Sequence, residues 1–421
     1  MQKYINYLIL LFITINLYAI QSIEIVGGNK INLPQINIID FTNDVAKQIT
    51  DVVANDLNIT GEFLVSNNEL SIKDNPNDDP INNAIKQVTD KYTITGSLIN
   101  NKIIYSLKKN NESNIILLNK TITNINNDKR IMAHTISNEV YKKITNINGI
   151  FTSKIAFITK NKNKYKLIIA DYDGFNQKTI MTSNMPLSSI AWNQFNNQVS
   201  YVSFEDNKPV IYVQDLYKPN RYKLANFNGS NSSPTYDPTS SDILATLTKD
   251  DNGSHIYLLD NTIFNANAFA IPLINYGTID TEASINKNGK IVFTSNHNGG
   301  PQIFLTSLNS KAAPQCLTTK ISSYNTTARF AHDSNKITFI SRNDNLLRVY
   351  IQDLDTTQFY PISSDTVHDI SPSFAPNDKL ILFSSDNVMY IANSLATKQT
   401  KLKNINSDGA DTIIDQYWAN S

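Results

Sequence analysis

Residues 371–383 read Ser371-Pro372-Ser373-Phe374-Ala375-Pro376-Asn377-Asp378-Lys379-Leu380-Ile381-Leu382-Phe383. An apolar anchor is followed by a Pro-Asn-Asp turn and then a short apolar run, the pattern of two strands joined by a tight connection. The unit recurs upstream. Ile190-Ala191-Trp192-Asn193 leads to Val199-Ser200-Tyr201, and Pro234-Thr235-Tyr236-Asp237-Pro238 to Ile243-Leu244-Ala245. Ala283-Ser284-Ile285 leads to Ile291-Val292-Phe293, and Ala328-Arg329-Phe330 to Ile337-Thr338-Phe339. In most units another apolar strand follows, as in Val210-Ile211-Tyr212-Val213 and Val349-Tyr350-Ile351. The equivalent of Tyr201 falls at 157, 201, 245, 293, 339 and 383, in steps of 44, 44, 48, 46 and 44. A period in the forties with four strands per unit is the signature of a propeller blade. An ordinary two-sheet sandwich has no reason to keep so regular a step.

The ends set the blade count. Phe157 has no anchor near 148, where the chain reads Asn146-Ile147-Asn148-Gly149. The missing piece is at the other end: Gln416-Tyr417-Trp418-Ala419 resembles Ile190-Ala191-Trp192-Asn193, and Trp418 stands 44 residues beyond Phe374. The tail is therefore expected to supply the first strand of the first blade, closing six blades without an exposed edge at the seam.

Ahead of the repeat the periodicity is mixed. Ile36 to Phe41 reads as a strand, and Thr42 or Asn43 is placed to cap a helix carrying Val45, Ile49, Val52, Val53, Asp56 and Leu57, ended by Gly61. Phe63-Leu64-Val65 reads as a strand and Ile81 to Thr89 as a short helix. Tyr92 to Leu98, Lys102 to Leu107 and Ile115 to Ile122 read as an antiparallel meander. Asp128 to Ile144 reads as a helix with Ile131, Ile136, Val140 and Ile144 on its inner face. The fold expected is an α/β N-terminal domain over 20–148 and an all-β six-bladed propeller over 149–421.

Residues 1–19 read as an export signal: Lys3, then an apolar core from Tyr7 to Leu17, then small Ala19. About ten apolar residues are too few for a hydrocarbon core about 30 Å thick, which needs about 20, so an uncleaved anchor is the weaker alternative. The mature chain would begin at Ile20 or Gln21 and work outside the cytoplasm, without inserting into a membrane. Lys plus Arg and Asp plus Glu are 37 each, so formal charge is +0, which offers nothing basic enough for nucleic acid. The single cysteine, Cys316, has no intrachain partner and is expected to be a small buried apolar residue.

Several segments carry a family resemblance. Ser137 to Thr145 followed by Gly149-Ile150-Phe151-Thr152-Ser153-Lys154-Ile155-Ala156-Phe157 resembles the helix end, linker and first propeller strand of the TolB family. Asp171-Tyr172-Asp173-Gly174-Phe175-Asn176 resembles its D-x-D-G-x-N turn. Leu33-Pro34 to Phe41, and Asp56-Leu57 with Gly61-Glu62-Phe63, resemble its first strand and helix. The likeness covers essentially the whole chain. It departs at Lys154, where the family has arginine, and at the eroded W-S-P-D-G turn, whose nearest copy is Phe374-Ala375-Pro376-Asn377-Asp378.

The resemblance implies a monomeric periplasmic scaffold of the Tol–Pal system with no cofactor and no chemistry of its own, supporting outer-membrane integrity and envelope constriction in cell division. It implies two partners. The lipoprotein Pal would bind at the propeller's channel mouth. TolA would engage the N-terminal segment Ser22, Ile23, Glu24, Ile25, Val26, Gly27 and Gly28, by strand addition or by a switch from a docked first strand. The mouth candidates precede the first-strand anchors: Ser188 and Ser189, Asn231 and Ser232, Thr281 and Glu282, Thr326 and Thr327, then His368, Asp369 and Ser371. Most are short and polar, as suits a wet interface, although solvated turns have the same composition.

Chemistry finds little support. No G-x-S-x-G elbow occurs, and Ser421 follows the closing strand closely, against an appended hydrolase domain. His134, His255, His297, His332 and His368 are scattered, without metal-ligand spacing, His255 and His297 in turn contexts. Asp171, Asp173 and Gly174 lack the later ligands of a calcium loop and read as a β-turn. A propeller hydrolase with channel-centred carboxylates, or a stand-alone peptide-binding module, are the alternatives.

Overall fold

A computed structural model describes residues 33–44, 47–67, 91–110, 115–123, 128–193, 197–249, 253–260, 269–364, 366–406 and 409–419. The export signal 1–19, the segment Ser22 to Gly28 and the helix expected at 81–89 lie outside the described residues. The N-terminal domain comprises β1 (Gln35–Ile38), α1 (Thr50–Ile59), β2 (Leu64–Ser66), β3 (Lys91–Ile99), β4 (Lys102–Lys109), β5 (Ile115–Thr123) and α2 (Lys129–Thr145), with sheet order β2-β1-β3-β4-β5. β1 is parallel to both neighbours, and β3, β4 and β5 form the expected meander. Asn100 and Asn101 turn the first hairpin with φ of 46° and 59°, a conformation asparagine tolerates better than most residues.

Two local expectations change. α1 starts at Thr50, and neither Thr42 nor Asn43 caps it: Thr42 bridges to Ser97 instead. The orphan N–H groups of Ile49 and Thr50 donate to the Asp44 carboxylate at 2.8 and 3.1 Å, which does the capping from outside the helix. In α2, capped by Asp128, Ile131 points outward and is 48% exposed. Ile136 and Val140 face inward as expected and Ile144 packs against the core, while Met132, Ala133 and Tyr141 complete the inner face in place of Ile131.

The propeller is built from β6 (Lys154–Asn161), β7 (Lys164–Asp171) and β8 (Lys178–Ser183), then β9–β12 (187–225), β13–β16 (231–274), β17–β20 (280–316), β21–β24 (325–361), β25–β28 (369–401) and β29 (Thr412–Trp418). Blade one has the order β29-β6-β7-β8. The tail is thus its innermost strand, pairing Trp418 with Ile155 and Gln416 with Phe157. The repeated residue defines each second strand, where Tyr201, Phe293, Phe339 and Phe383 stand opposite Tyr212, Phe304, Tyr350 and Tyr390 of the third. Their rings stack at 5.4–6.1 Å, which fixes register within the blade.

The two domains share one core. The N-terminal domain sits on the face where inner strands end. Trp418 is fully buried, stacks on Tyr172 at 6.2 Å and donates its indole N–H to Ser153 Oγ at 2.8 Å. At the end of α1, the Asn393 amide donates to Thr60 O at 3.3 Å and Lys398 Nζ to Asn58 Oδ1 at 2.8 Å. Gly61 at φ +68° fits this contact because a Cβ there would stand 2.7 Å from Asn393 Nδ2 and 2.9 Å from Lys398 Cβ. At the end of α2's first turns, buried His134 offers Nδ1 to Asp56 Oδ2 at 2.9 Å. Tyr172 of the β7–β8 turn donates its hydroxyl to Asp56 Oδ1 at 2.5 Å. Asp173 of the same turn receives Arg130 and lies 3.7 Å from His134 Nε2. His134 was expected to be an ordinary residue; it is instead part of a domain seam.

Candidate protein-binding face

The innermost strands β29, β9, β13, β17, β21 and β25 contact one another around a ring and line the channel. Because they end under the N-terminal domain, they begin on the opposite face, which the described residues of that domain leave uncovered. Each carries the same irregularity near its start. In β9 the register shifts opposite Tyr201, in β13 between Ser232 and Thr235, in β17 between Thr281 and Ser284, in β21 between Thr326 and Arg329, in β25 between Ile370 and Ser373, and in β29 between Ile413 and Asp415. These are β-bulges, which re-aim side chains out of the pleat.

Five of the six bulges hold a non-glycine residue in the left-handed region: Ser189, Ser233, Glu282, Thr327 and Ser371, with φ between 48° and 58°. Such backbone costs on the order of 1–3 kcal/mol and persists only where surroundings impose it. Here the surroundings are the next blade. Ile190 N donates to Asp415 Oδ2 at 2.7 Å, and Thr327 N to Glu282 Oε2 at 2.9 Å. Thr327 Oγ1 and Thr294 Oγ1 donate to the same Glu282 carboxylate, each at 3.0 Å. Burial pushes the Asp415 carboxyl above the usual carboxylate range, against the opposing pull of Ser371, Ile190 N–H and Arg329. Both bulge acids therefore staple inner strands, each to its own neighbour, and do not converge on one point as a channel-centred catalytic site needs.

Ser188, Ser189, Ser232, Thr281, Glu282, Thr326, Thr327 and Ser371 all lie at these bulges, half-buried on the channel side. His368 is exposed on the rim, its backbone N–H held by Ser385 Oγ at 3.1 Å. Asn231 and Asp369 are corrections: both are fully buried at the first position of an inner strand. The Asn231 amide donates to Pro209 O and Phe227 O, at 2.9 and 3.0 Å. Asp369 Oδ2 accepts from Val349 N at 3.1 Å and from Ser363. Asp280 and Asn325 occupy the equivalent places, Asp280 receiving Tyr276 N at 2.7 Å and His255 Nδ1 at 3.2 Å. These four side chains fasten the connection entering each inner strand, since buried polar groups must find partners. His255 accordingly lies in a strand, not a turn. Cys316, expected buried, is half-exposed in a two-residue outer strand.

Sequence reasoning missed Ser233, Ile370, Ile414 and Asp415, which complete the ring; the repeat itself, extended one residue further, was the available signal. It also missed the connections beside the ring. Tyr276 stacks on exposed His297 at 3.9 Å, Arg342 lies 4.3 Å over the Tyr324 ring, and Ile279 and Val367 are 50% and 41% exposed. Aromatic, Arg and apolar groups around a polar ring make a composition typical of protein-binding surfaces.

The model of the TolB beta propeller domain matches residues 141–413. The chain belongs to the TolB propeller family. The Tol-Pal system protein TolB of Francisella tularensis subsp. tularensis (strain SCHU S4 / Schu 4) is 27% identical over 401 residues, covering 90% of this chain and 88% of that protein. That of Bordetella pertussis is 34% identical over 181 residues, 43% of this chain and 40% of the relative's length, so the aligned part spans less than half of that TolB protein. The crystal structure of TolB from Acinetobacter baumannii superposes with a TM-score of 0.74 at 27% identity, covering 92% of this chain and 97% of that one. The match to TolB thus includes the N-terminal domain as well as the propeller. Among the described residues no helix is long and apolar enough to cross a membrane.

Proposed function

We propose that this chain is a non-enzymatic, monomeric scaffold of a Tol–Pal system, working in the periplasm. In this reading it binds Pal by the propeller face remote from the N-terminal domain and TolA by Ser22 to Gly28, and so supports outer-membrane integrity and even constriction at division. The observation that carries it is the ring of bulged, half-buried polar residues on the propeller face opposite the described residues of the N-terminal domain. A preorganised polar ring with aromatic and Arg neighbours binds a protein surface without ordering loops at the moment of docking. Relatives named as Tol-Pal system proteins support the system assignment, and the TolA part rests on analogy with the family, whose mature N-terminal segment engages TolA.

The test is capture from solubilised envelopes by the mature chain and by a Ser232→Arg/Thr281→Arg variant. Both residues are half-buried and Thr281 Oγ1 accepts from Thr246 Oγ1 at 3.2 Å, so the variant is first shown to be folded by thermal unfolding. The wild type is expected to recover a peptidoglycan-associated lipoprotein and the folded variant to lose at least about tenfold of that capture, about 1.4 kcal/mol. Equal capture by both would place the binding face elsewhere.

A further inference from the structure

The domain seam contains a chain of four charged or chargeable groups that the scaffold reading does not use. From α1, Asp56 faces His134 Nδ1 at 2.9 Å; from the β7–β8 turn, Asp173 Oδ2 faces His134 Nε2 at 3.7 Å. From α2 itself, Arg130 pairs with Asp173, and its guanidinium lies 3.6 Å over the Phe175 ring. Tyr172, the remaining titratable group against the imidazole, donates to Asp56 and meets the ring edge-on at 5.6 Å. Asp56 and His134 are 1% and 2% exposed.

The three donor atoms lie within 4.8 Å of one another, yet the arrangement does not suit a divalent ion. The imidazole turns its two nitrogens to opposite carboxylates, and Arg130 already supplies the cation that Asp173 needs. Charge counting points to a proton instead. With the imidazole protonated, two carboxylates face two cations and the buried set is neutral. With it deprotonated, one carboxylate is left buried without its counter-charge, which is strongly unfavourable.

We propose that Asp56, His134, Asp173 and Arg130 form a proton-operated latch that joins the N-terminal domain to the propeller, closed while His134 carries its proton and loosened when the proton leaves. The latch spans the seam: Asp56, Arg130 and His134 belong to one domain and Tyr172 and Asp173 to the other. Burial opposes protonation of the imidazole, but the charge and hydrogen bond of Asp56 and the charge of Asp173 outweigh it and hold His134 above the usual histidine value. A group raised in this way stabilises the folded form fully below its unfolded value near 6.5 and loses that contribution as pH rises through the raised one. The seam therefore tightens toward acid and loosens toward alkaline pH. Burial likewise lifts Asp173, against the pull of His134 and Arg130. Lys398, also at the seam, meets uncharged Asn58 and sits lower than an ordinary lysine through burial.

The latch is tested in the full mature chain, without any partner. Histidine side-chain NMR titration should show one of the five histidines titrating clearly above 6.5, and His134→Gln should remove that resonance. Hydrogen exchange corrected for intrinsic rates should show protection in 129–145 and 171–176 falling as pH passes from 6 to 9. The fall should be about tenfold for each unit by which the His134 titration is raised, while the central strands of the fourth blade stay constant. In His134→Gln the seam's protection should no longer change over that range. The proposal is overturned if His134 is neutral at pH 6, if seam protection is flat in the wild type, or if His134→Gln keeps the wild-type pH dependence, which would assign the effect to Lys398.

Discussion

Trp418→Ala is expected to lower folding stability by about 3–5 kcal/mol, the range for emptying a fully buried large aromatic site. Two functions meet at this side chain, in a closing strand whose backbone pairs with the first blade at Trp418 and Ile155 and would still do so in the variant. It packs the seam, stacking on Tyr172 in the core shared by both domains. Its indole N–H also satisfies Ser153 Oγ, which the variant would leave buried without that donor. Its backbone N–H donates to Ser373 Oγ of the preceding blade at 3.1 Å, and alanine would keep that bond. Urea unfolding followed by far-UV circular dichroism measures the loss, and a loss below about 1 kcal/mol would show that this side chain does not hold the closing strand and the seam together.

Asp56→Ala should rank next, at about 3–5 kcal/mol near neutral pH, because it removes one partner of a buried pair and with it the charge that holds the His134 proton against burial. His134 would lose its 2.9 Å partner and Tyr172 the acceptor of its hydroxyl at 2.5 Å. The loss should be strongly non-additive. Asp56→Ala/His134→Leu should recover part of it, since replacing both members of a buried pair is often nearly neutral. A double variant whose loss equals the sum of the two single ones would show that the pair does not act as a unit.

The sequence made the propeller legible for a physical reason. Blade repetition is one-dimensional, and anchors such as Phe330, Phe374 and Trp418 recur because each must fill the same buried place at the end of an inner strand, a place that Trp192 fills only in part. The incomplete first blade and the orphan tail were two halves of one sheet, so closure could be inferred without any contact information. The seam was not legible. His134 and Asp56 are 78 residues apart and meet only because one domain docks on the other; no spacing rule carries that. The mouth was half legible. The repeat led to the positions where the structure has its bulges, but the sequence does not mark an Asn or Asp that is buried and ties down a connection, as Asn231 and Asp369 are. Nor does it show a backbone turned left-handed at Ser189 or Thr327, residues with no intrinsic preference for that region.

The central claim is that the uncovered propeller face is the one that binds. Hydrogen exchange of the full chain with and without purified Pal tests it most directly. The account predicts new protection in 185–190, 230–234, 276–283, 322–328 and 366–372, with the turns at 171–176 and 393–398 on the opposite face unprotected. Protection confined to those two turns, or binding that leaves the ring of bulges unprotected, would contradict it.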